Sequence, residues 1–481
     1  MRTHVKRVKP VWIAVIFCGL LFMVLLFFRL GFFHKNTSFV LLGNKLISEK
    51  ESWMNILQQD KKIGYSHHRL IPKENGFSLF ESTYMRLNTM GMVQDVYIHT
   101  NGELNSDFSL ASFLFNLQSG MFNFKASGKV EGNKLAIKAG EQEFEFLLEN
   151  SLYLTAGILD AAWASGLEKN QARTFFVFDP ASMGLRPVRI TLHGSESMEV
   201  MGYKQNTDKV TVDFMGSSMT AWIGEDGSVV AEEGFMGIKL VRVSEDEALK
   251  GLDLPIDQDV TEIFSVASDV PVKQRDKINL LKIRIAGIND YLSLNGGRQS
   301  LADGILTIYK EEIPKTIGFS KESEKKYLRP TLFAQSDHPE IKSKVKEIVL
   351  PDDQPFTRAN KIMRWIYGNI QKRPVLSVPN ALETLRNRMG DCNEHAVLMA
   401  AMARAAGIPA RIETGLVYMK GRFYYHAWNV FYLGDWVTVD ALMGQIPADV
   451  THIRFIRGEP DRQIDLIKVI GKVKINILEQ S

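Results

Sequence analysis

A cysteine in a polar setting is the first residue of this chain whose type and position could do chemistry. Cys392 is flanked by Asp391 and Asn393, and a run of Ala, Leu, Met and Val over 396–406 follows closely. That run predicts a buried helix, which Gly407 ends in a left-handed conformation. Cys392 then falls at the helix N-terminus, where unpaired N–H groups favour a thiolate.

A histidine and an acid follow in an order that suits this thiol. His426 lies in the second of three predicted strands and Asp440 ends the third; the strands cover 410–418, 423–432 and 436–440. In such a site Cys392 attacks, His426 takes and returns the proton, and Asp440 holds the imidazole in the right tautomer. A two-residue turn at 434–435 would set Asp440 opposite Asn429, so a contact with His426 requires a bulge or a diagonal pairing.

Four motifs over residues 336–455 resemble the core of the transglutaminase-like superfamily. They are Gly390-Asp-Cys392, Arg404-Ala-Ala-Gly-Ile-Pro-Ala-Arg411, His426-Ala-Trp428 and Trp436-Val-Thr-Val-Asp440. The resemblance implies a papain-like α+β fold, with Cys392 as nucleophile, His426 as base and Asp440 as orienting acid. It also implies acyl chemistry at an amide, since members include cross-linking enzymes, amide hydrolases, proteases and inactive relatives. One departure is Ala441-Leu442, where many members have Pro-Thr.

Trp428 and His452 are two further residues that could take part in this site. Trp428 should share a strand face with His426 and could wall a substrate site, or it could belong to the core. His452 lies in the segment 445–454 that should rim the site, and we expect a structural or surface histidine there rather than a second site residue.

Composition limits the other functions. The 481 residues suggest two to four structural units, and 45% hydrophobic with 23% charged residues is typical of a globular protein. A net charge of +3 is too small for a chain of this length to indicate nucleic-acid binding. Because no phosphate-binding glycine loop and no Cys/His metal spacing appears, we predict no metal and no cofactor.

The N-terminal sequence predicts a membrane anchor. Basic residues within 1–10 precede an apolar run, so 1–10 is read as a cytoplasmic tail and 11–33 as a single transmembrane helix, with a cleaved signal as the alternative. The remainder is then expected outside the cytoplasm, across the inner membrane. Of the two cysteines, Cys18 lies in the anchor, which leaves Cys392 without an internal disulfide partner.

The expected fold class is α+β, with the anchor, a curved antiparallel β-rich region and a C-terminal transglutaminase-like domain. The predicted boundaries are a linker at 34–48, a β-rich domain at 49–270, a small β-rich segment at 271–335 and the transglutaminase-like domain at 336–481. The β-rich domain should be an open sheet curled round a helical patch at 152–167, or a half-barrel. Its methionines (Met85, Met90, Met92, Met121) could line a groove and His67-His68 could bind metal, but core packing and a polar strand end are the preferred readings.

The predicted function is that of a membrane-anchored, extracytoplasmic thiol enzyme. It would act on amide bonds through a thioester, as a peptidase, amidase or transamidase, on a peptide or protein of the cell envelope. The alternative is an inactive transglutaminase-like binding module or an envelope scaffold.

Overall fold

A computed structural model of the chain describes residues 39–42, 45–120, 122–214, 217–234, 237–253, 259–288, 292–314 and 322–481. The strands of the first half are β1 Phe39–Leu42, β2 Lys45–Ser48, β3 Lys50–Gln58, β4 Lys61–Lys73, β5 Gly76–Thr89, β6 Met92–Leu104, β7 Leu110–Ser119, β8 Phe122–Glu131, β9 Lys134–Ala139, β10 Gln142–Leu147, β11 Leu152–Leu154, β12 Ala172–Asp179, β13 Gly184–Val200, β14 Tyr203–Phe214, β15 Ser217–Gly224, β16 Val229–Glu233 and β17 Ile238–Val243. The later strands are β18 Val266–Ala267, β19 Leu280–Ala286, β20 Gln299–Ala302, β21 Ile305–Tyr309, β22 Gln371–Lys372, β23 Met389–Gly390, β24 Ala410–Met419, β25 Arg422–Tyr432, β26 Trp436–Val439, β27 Ile453–Arg457 and β28 Lys474–Gln480.

The helices cluster in the second half of the chain. They are α1 Ile158–Ala164, α2 Glu245–Leu249, α3 Val260–Ile263, α4 Pro339–Ile348, α5 Pro355–Asn369, α6 Ala381–Asn387, α7 Cys392–Ala405 and α8 Pro460–Gln463. Short 3-10 turns cover Thr155–Gly157, Glu322–Leu328 and Ile464–Lys468.

One large sheet contains most of the β-rich region. Its fifteen strands run in the order β10-β9-β8-β7-β6-β5-β4-β3-β17-β16-β15-β14-β13-β12-β11. Long hairpins build it: β6 alternates buried and exposed residues over much of its length, as a sheet with one covered face requires. An Asp226-Gly227 turn joins β15 and β16 as an antiparallel hairpin.

The large sheet curls round α1, as the sequence predicted for an open sheet wrapped on a helical patch. Residues of both halves of the sheet line one cavity together with Ile158 and Asp160 of this helix. The helix is shorter than the predicted patch, because Leu152–Leu154 forms an edge strand that pairs in parallel with β12.

The second half of the chain packs helices on a five-stranded sheet. Its order is β18-β25-β24-β27, with β26 added on β25. Helix α7 lies at the centre, and every residue from Glu394 to Arg404 is buried, as its apolar sequence predicted. Gly407, with φ +80°, follows Ala406, the C-cap of this helix, and confirms the predicted end.

A smaller sheet draws on distant parts of the sequence. Its order is β20-β21-β19-β28, so the last strand of the chain pairs with Leu280–Ala286. Its apolar side shares a core with the five-stranded sheet through residues such as Leu416 and Phe455. The segment around 280–310 therefore supports the second half of the chain.

The predicted α+β fold class was wrong. Strands make up 50% of the described residues and helices 19%, so this part of the chain is mostly β. The sequence shows only short runs of β-forming residues between turns, so it underestimates the length of the strands. Strand pairing extends β13, for example, to 17 residues. The transmembrane helix included in that class is also unsupported: no helix of the described residues is long and apolar enough to span a membrane, and 11–33 lies outside those residues. The localisation that depends on it stays a prediction.

Candidate functional site

The N-terminus of α7 presents Cys392 in a reinforced turn. The Asp391 carboxylate accepts a hydrogen bond from the Asn393 N–H at 2.8 Å, and Glu394 accepts one from the Asp391 N–H at 3.0 Å. This reciprocal pair is a capping box, for which the Asp-x-x-Glu spacing was an available signal. Gly390 makes room for it, because a Cβ there would come within 2.2 Å of the Glu394 Cβ.

The surroundings of Cys392 act against ionisation of its thiol. Burial raises the pKa of Cys392 well above its ordinary value, and the charges of Asp391 and Glu394 raise it further. A hydrogen bond from the Ala427 backbone N–H acts in the opposite direction without outweighing them. The sequence predicted a thiolate from the helix terminus and from the histidine partner, whereas burial and the neighbouring acids act on the pKa in the opposite direction.

The same backbone contact brings Cys392 next to the predicted histidine. Ala427 follows His426 in β25, so the sulfur lies against the strand that carries the imidazole. The buried Asn429, further along this strand, donates from Nδ2 to the Ala396 carbonyl at 2.9 Å and ties α7 to β25. This hydrogen bond between α7 and β25 was not predicted from the sequence.

His426 and Asp440 meet through a diagonal pairing. Tyr432 pairs with Trp436 around a three-residue loop, which sets Val439 opposite Asn429. The next step of this register sets Asp440 level with Trp428, on the strand face that it shares with His426. His426 Nε2 then lies 2.7 Å from Asp440 Oδ2, and both side chains are buried.

A second histidine contacts the same carboxylate oxygen. His452 is fully buried, and its Nε2 lies 2.9 Å from Asp440 Oδ2. Its Nδ1 faces Asp449, 3.2 Å from the carbonyl oxygen and 3.3 Å from Oδ1. Because oxygen acceptors face both ring nitrogens, both nitrogens carry protons and His452 is an imidazolium.

The pKa directions agree with this assignment. Burial lowers the pKa of His452, but hydrogen bonds to Asp440 and Asp449 outweigh it and raise the pKa above the ordinary value. Burial raises the pKa of Asp440, and the charges and hydrogen bonds of His426 and His452 overcome it, so that the pKa falls well below its usual range. The expectation of a merely structural or surface His452 missed this contact with Asp440.

Residues distant in sequence fix the loop that carries His452. Arg298, before β20, is buried and donates to the His452 carbonyl at 2.9 Å, to the Ala448 carbonyl at 2.8 Å and to Thr438 Oγ1 at 3.1 Å. The neighbouring Gln299 exchanges hydrogen bonds of 2.9 and 3.0 Å with the Arg454 backbone. Nothing local in the sequence signals these contacts.

Trp428 lies beneath the two histidines. Its side chain is 1% exposed, and its ring centroid is 6.1 Å from that of His426 and 5.2 Å from that of His452. The indole Nε1 is buried without a hydrogen-bond partner among the described residues. The ring packs behind His426, and its predicted role in binding substrate stays a prediction.

The cluster of His426, Asp440 and His452 is of a type that can hold a metal, and its ligand atoms lie within 4.8 Å of one another. Two ligands of a tetrahedral zinc, each about 2.0 Å from the ion, lie about 3.3 Å apart. The separations of 2.7 and 2.9 Å from Asp440 Oδ2 are hydrogen-bond distances instead. The arrangement suits proton handling at His426 better than metal binding.

Comparison with known proteins gives one family match. A family model described as the transglutaminase-like superfamily matches residues 342–441, a stretch that contains Cys392, His426 and Asp440. No curated protein matches the chain.

Several solved structures show weak similarity. A candidate cysteine protease from Cytophaga hutchinsonii is 17% identical, with 42% of this chain and 84% of that chain covered and a TM-score of 0.28. A candidate protease from Parabacteroides distasonis is 12% identical, with 66% and 64% covered and a TM-score of 0.20. A β-barrel-like protein of unknown function from Brucella abortus is 10% identical, with 40% and 95% covered and a TM-score of 0.32. Likenesses this low carry no argument about function.

Proposed function

Because residues 342–441 belong to the transglutaminase-like superfamily, we propose that the chain is a thiol enzyme that cleaves or exchanges an amide bond of a peptide or protein. The observation that carries this proposal is the 2.7 Å hydrogen bond from His426 Nε2 to Asp440 Oδ2, formed where the Cys392 sulfur meets the same strand. Cys392 would then act as nucleophile, His426 as its base and Asp440 as the acid that orients the imidazole.

The hydrogen bonds set the direction of proton transfer. With its Nε2 proton directed at Asp440, a neutral His426 keeps the lone pair on Nδ1. Nδ1 accepts the proton of the Cys392 thiol as the sulfur attacks the amide carbonyl, and the imidazolium formed is stabilised by Asp440. The free N–H of Cys392 at the first position of α7 can donate to the oxyanion.

Breakdown of the tetrahedral intermediate returns this proton. His426 protonates the departing amine, the C–N bond breaks, and a thioester of Cys392 remains. In hydrolysis, water adds to the thioester while His426 takes its proton and delivers it to the sulfur. In transamidation a primary amine takes the place of water, and a new amide forms.

The direction of the pKa shift at Cys392 favours a mechanism in which the proton leaves as the sulfur attacks. A preformed thiolate would need a depressed pKa, whereas burial and two acids raise the pKa of Cys392. The same raised pKa favours the second candidate, an inactive binding module that keeps the fold without turnover. Both readings share the geometry and differ in whether Cys392 accepts an acyl group.

A test of the proposal offers the full chain a set of glutamine-containing peptides together with a fluorescent primary amine. We expect either labelled peptide with release of ammonia, or new amino termini from hydrolysis, and neither product from Cys392→Ala. Products formed equally by Cys392→Ala would overturn the proposal. Absence of every product, with Cys392 also inert to an activated ester, would leave the binding module as the function.

A further inference from the structure

The large sheet encloses a cavity whose wall carries polar and charged side chains, unlike an ordinary hydrophobic core. The cavity has a volume of about 340 Å³. At one level of the sheet Ser52, His68, Glu81 and Thr100 stand side by side on β3 to β6 and line it. Inward-facing polar residues in adjacent strands are costly unless they meet a partner or a ligand.

One part of the wall is apolar. Val188 and Phe214 pair across β13 and β14, Val212 and Met219 pair across β14 and β15, and all four line the same cavity. An enclosed space with an apolar side and a few polar groups on the other is the usual form of a small-molecule site. Its volume lies at the low end of the range for such sites, which suits a small amphiphile.

The two cationic side chains of the cavity, Lys50 and His68, both lie against one carboxylate. Asp160, in α1, lies 3.4 Å from Lys50 Nζ through Oδ1 and 3.0 Å from His68 Nε2 through Oδ2. Lys50 also donates to the Gly227 carbonyl at 3.1 Å and lies over the Trp163 ring at 4.2 Å. The wall holds four carboxylates, Glu81, Asp160, Asp179 and Glu232, against these two cations, so its charge disfavours an anionic ligand.

Two of these carboxylates have no direct partner among the described residues, although the charge of His68 acts on both. Within the part of the chain that the structure describes, Glu81 and Glu232 form neither an ion pair nor a side-chain hydrogen bond. Burial raises the pKa of Glu232 to about 7, and the charge of Glu81 contributes, so the two carboxylates sense each other. In the same described part neither carboxylate joins a cluster of three metal-ligating side chains, which disfavours a divalent metal.

We propose that this cavity binds a small molecule with an apolar body and a cationic head, such as a primary alkylamine. The ammonium group would lie between Glu81 and Glu232 and supply the missing charge, while the chain would pack against Val188, Phe214 and Met219. The site is separate from the cluster at Cys392 and does not depend on the proposed reaction.

Calorimetric titration of the full chain with n-octylamine and with octanoate tests this inference. The two probes share chain length and differ in the sign of the head group. At pH 8 we expect octylamine to bind with one site per chain, about tenfold or more tighter than octanoate, since a charge-assisted hydrogen bond contributes this much. Octylamine affinity should fall from pH 8 to pH 6, as Glu232 takes up a proton.

The double variant Glu81→Gln/Glu232→Gln removes both charges and keeps the shape. We expect it to lose the preference for octylamine while its urea midpoint holds, because Gln resembles the protonated acid. Glu233→Gln, one residue along the same strand and exposed, is the matched control and should bind octylamine as the unaltered chain does. Equal or tighter binding of octanoate, no octylamine binding, or an unchanged preference in the double variant would each overturn the inference.

Discussion

His452 and His426 each donate an Nε2 proton to the same oxygen of Asp440, at 2.9 and 2.7 Å. The acid of the proposed triad therefore lies between two imidazole rings, one of which is also held by Asp449 and is charged. Removing Asp440 would leave His452 as a buried cation without this partner, so the carboxylate supports the fold as well as the proposed chemistry.

Replacement of His452 tests its charge. His452→Gln can keep one hydrogen bond to Asp440 but leaves Asp440 and Asp449 without their buried cation. We expect the free energy of unfolding to fall by about 3 kcal/mol at pH 5.5, measured from the shift of the urea midpoint. The raised pKa of His452 sets the sign: its contribution to stability is fully present below about pH 6.5 and is lost as the pH rises through the folded value.

The difference between His452→Gln and the unaltered chain should therefore shrink between pH 5.5 and pH 9. His193→Gln is the matched control, since His193 is an exposed residue of β13, and we expect a change within about 0.5 kcal/mol. If the free energy of unfolding lost in His452→Gln does not vary with pH, then His452 is neutral in the folded chain.

The carboxylate of Asp391, next to Cys392 in sequence, contributes to the raised pKa of the thiol. Asp391→Asn keeps an N-cap of equal quality, so the urea midpoint should shift by no more than about 0.5 kcal/mol. Because the charge of Asp391 raises the pKa of Cys392, its loss should lower the pH midpoint of iodoacetamide alkylation at Cys392. Peptide mapping separates Cys392 from Cys18, and Asp352→Asn, an exposed acid, is the control. An unchanged midpoint in Asp391→Asn would refute this electrostatic account.

A glycine opposite His426 lets β27 approach. Gly415 pairs with His426, and a Cβ on it would come within 1.9 Å of the Ile453 carbonyl oxygen. Gly415→Ala must displace the backbone next to His452, and we expect a loss of about 3 kcal/mol in urea unfolding. Gly368→Ala, in α5 with open space around its Cβ, should be neutral or stabilising by up to about 1 kcal/mol. Similar effects for both substitutions would argue against the close approach.

The sequence predicted the parts of the site that depend on local patterns. The apolar run after Cys392 gave α7 and its end at Gly407, and the β-formers around His426 gave three strands within one or two residues of the observed ones. Diagonal contact between His426 and Asp440 was one of two geometries that the sequence left open, and a loop of three residues selects it.

Long-range contacts account for the remainder. His452 reaches Asp440 because β27 pairs with β24, a pairing that skips over β25 and β26 in sequence. Arg298 fixes the same loop from a segment 154 residues upstream. The upward pressure on the pKa of Cys392 was missed for a related reason: a helix terminus is visible in the sequence, whereas the burial of Cys392 is set by the whole fold.

The most direct test of the proposed thiol chemistry is the acetylation of Cys392 by p-nitrophenyl acetate, whose leaving group needs no proton. Release of nitrophenolate and mass mapping of the full chain follow the reaction. We expect a burst, an acetyl group on Cys392 that is later hydrolysed, and a rate of acetylation about 100-fold lower in His426→Ala. If Cys392 in the folded chain stays unmodified, or if His426→Ala reacts at the same rate, then Cys392 and His426 do not form a nucleophile and its base.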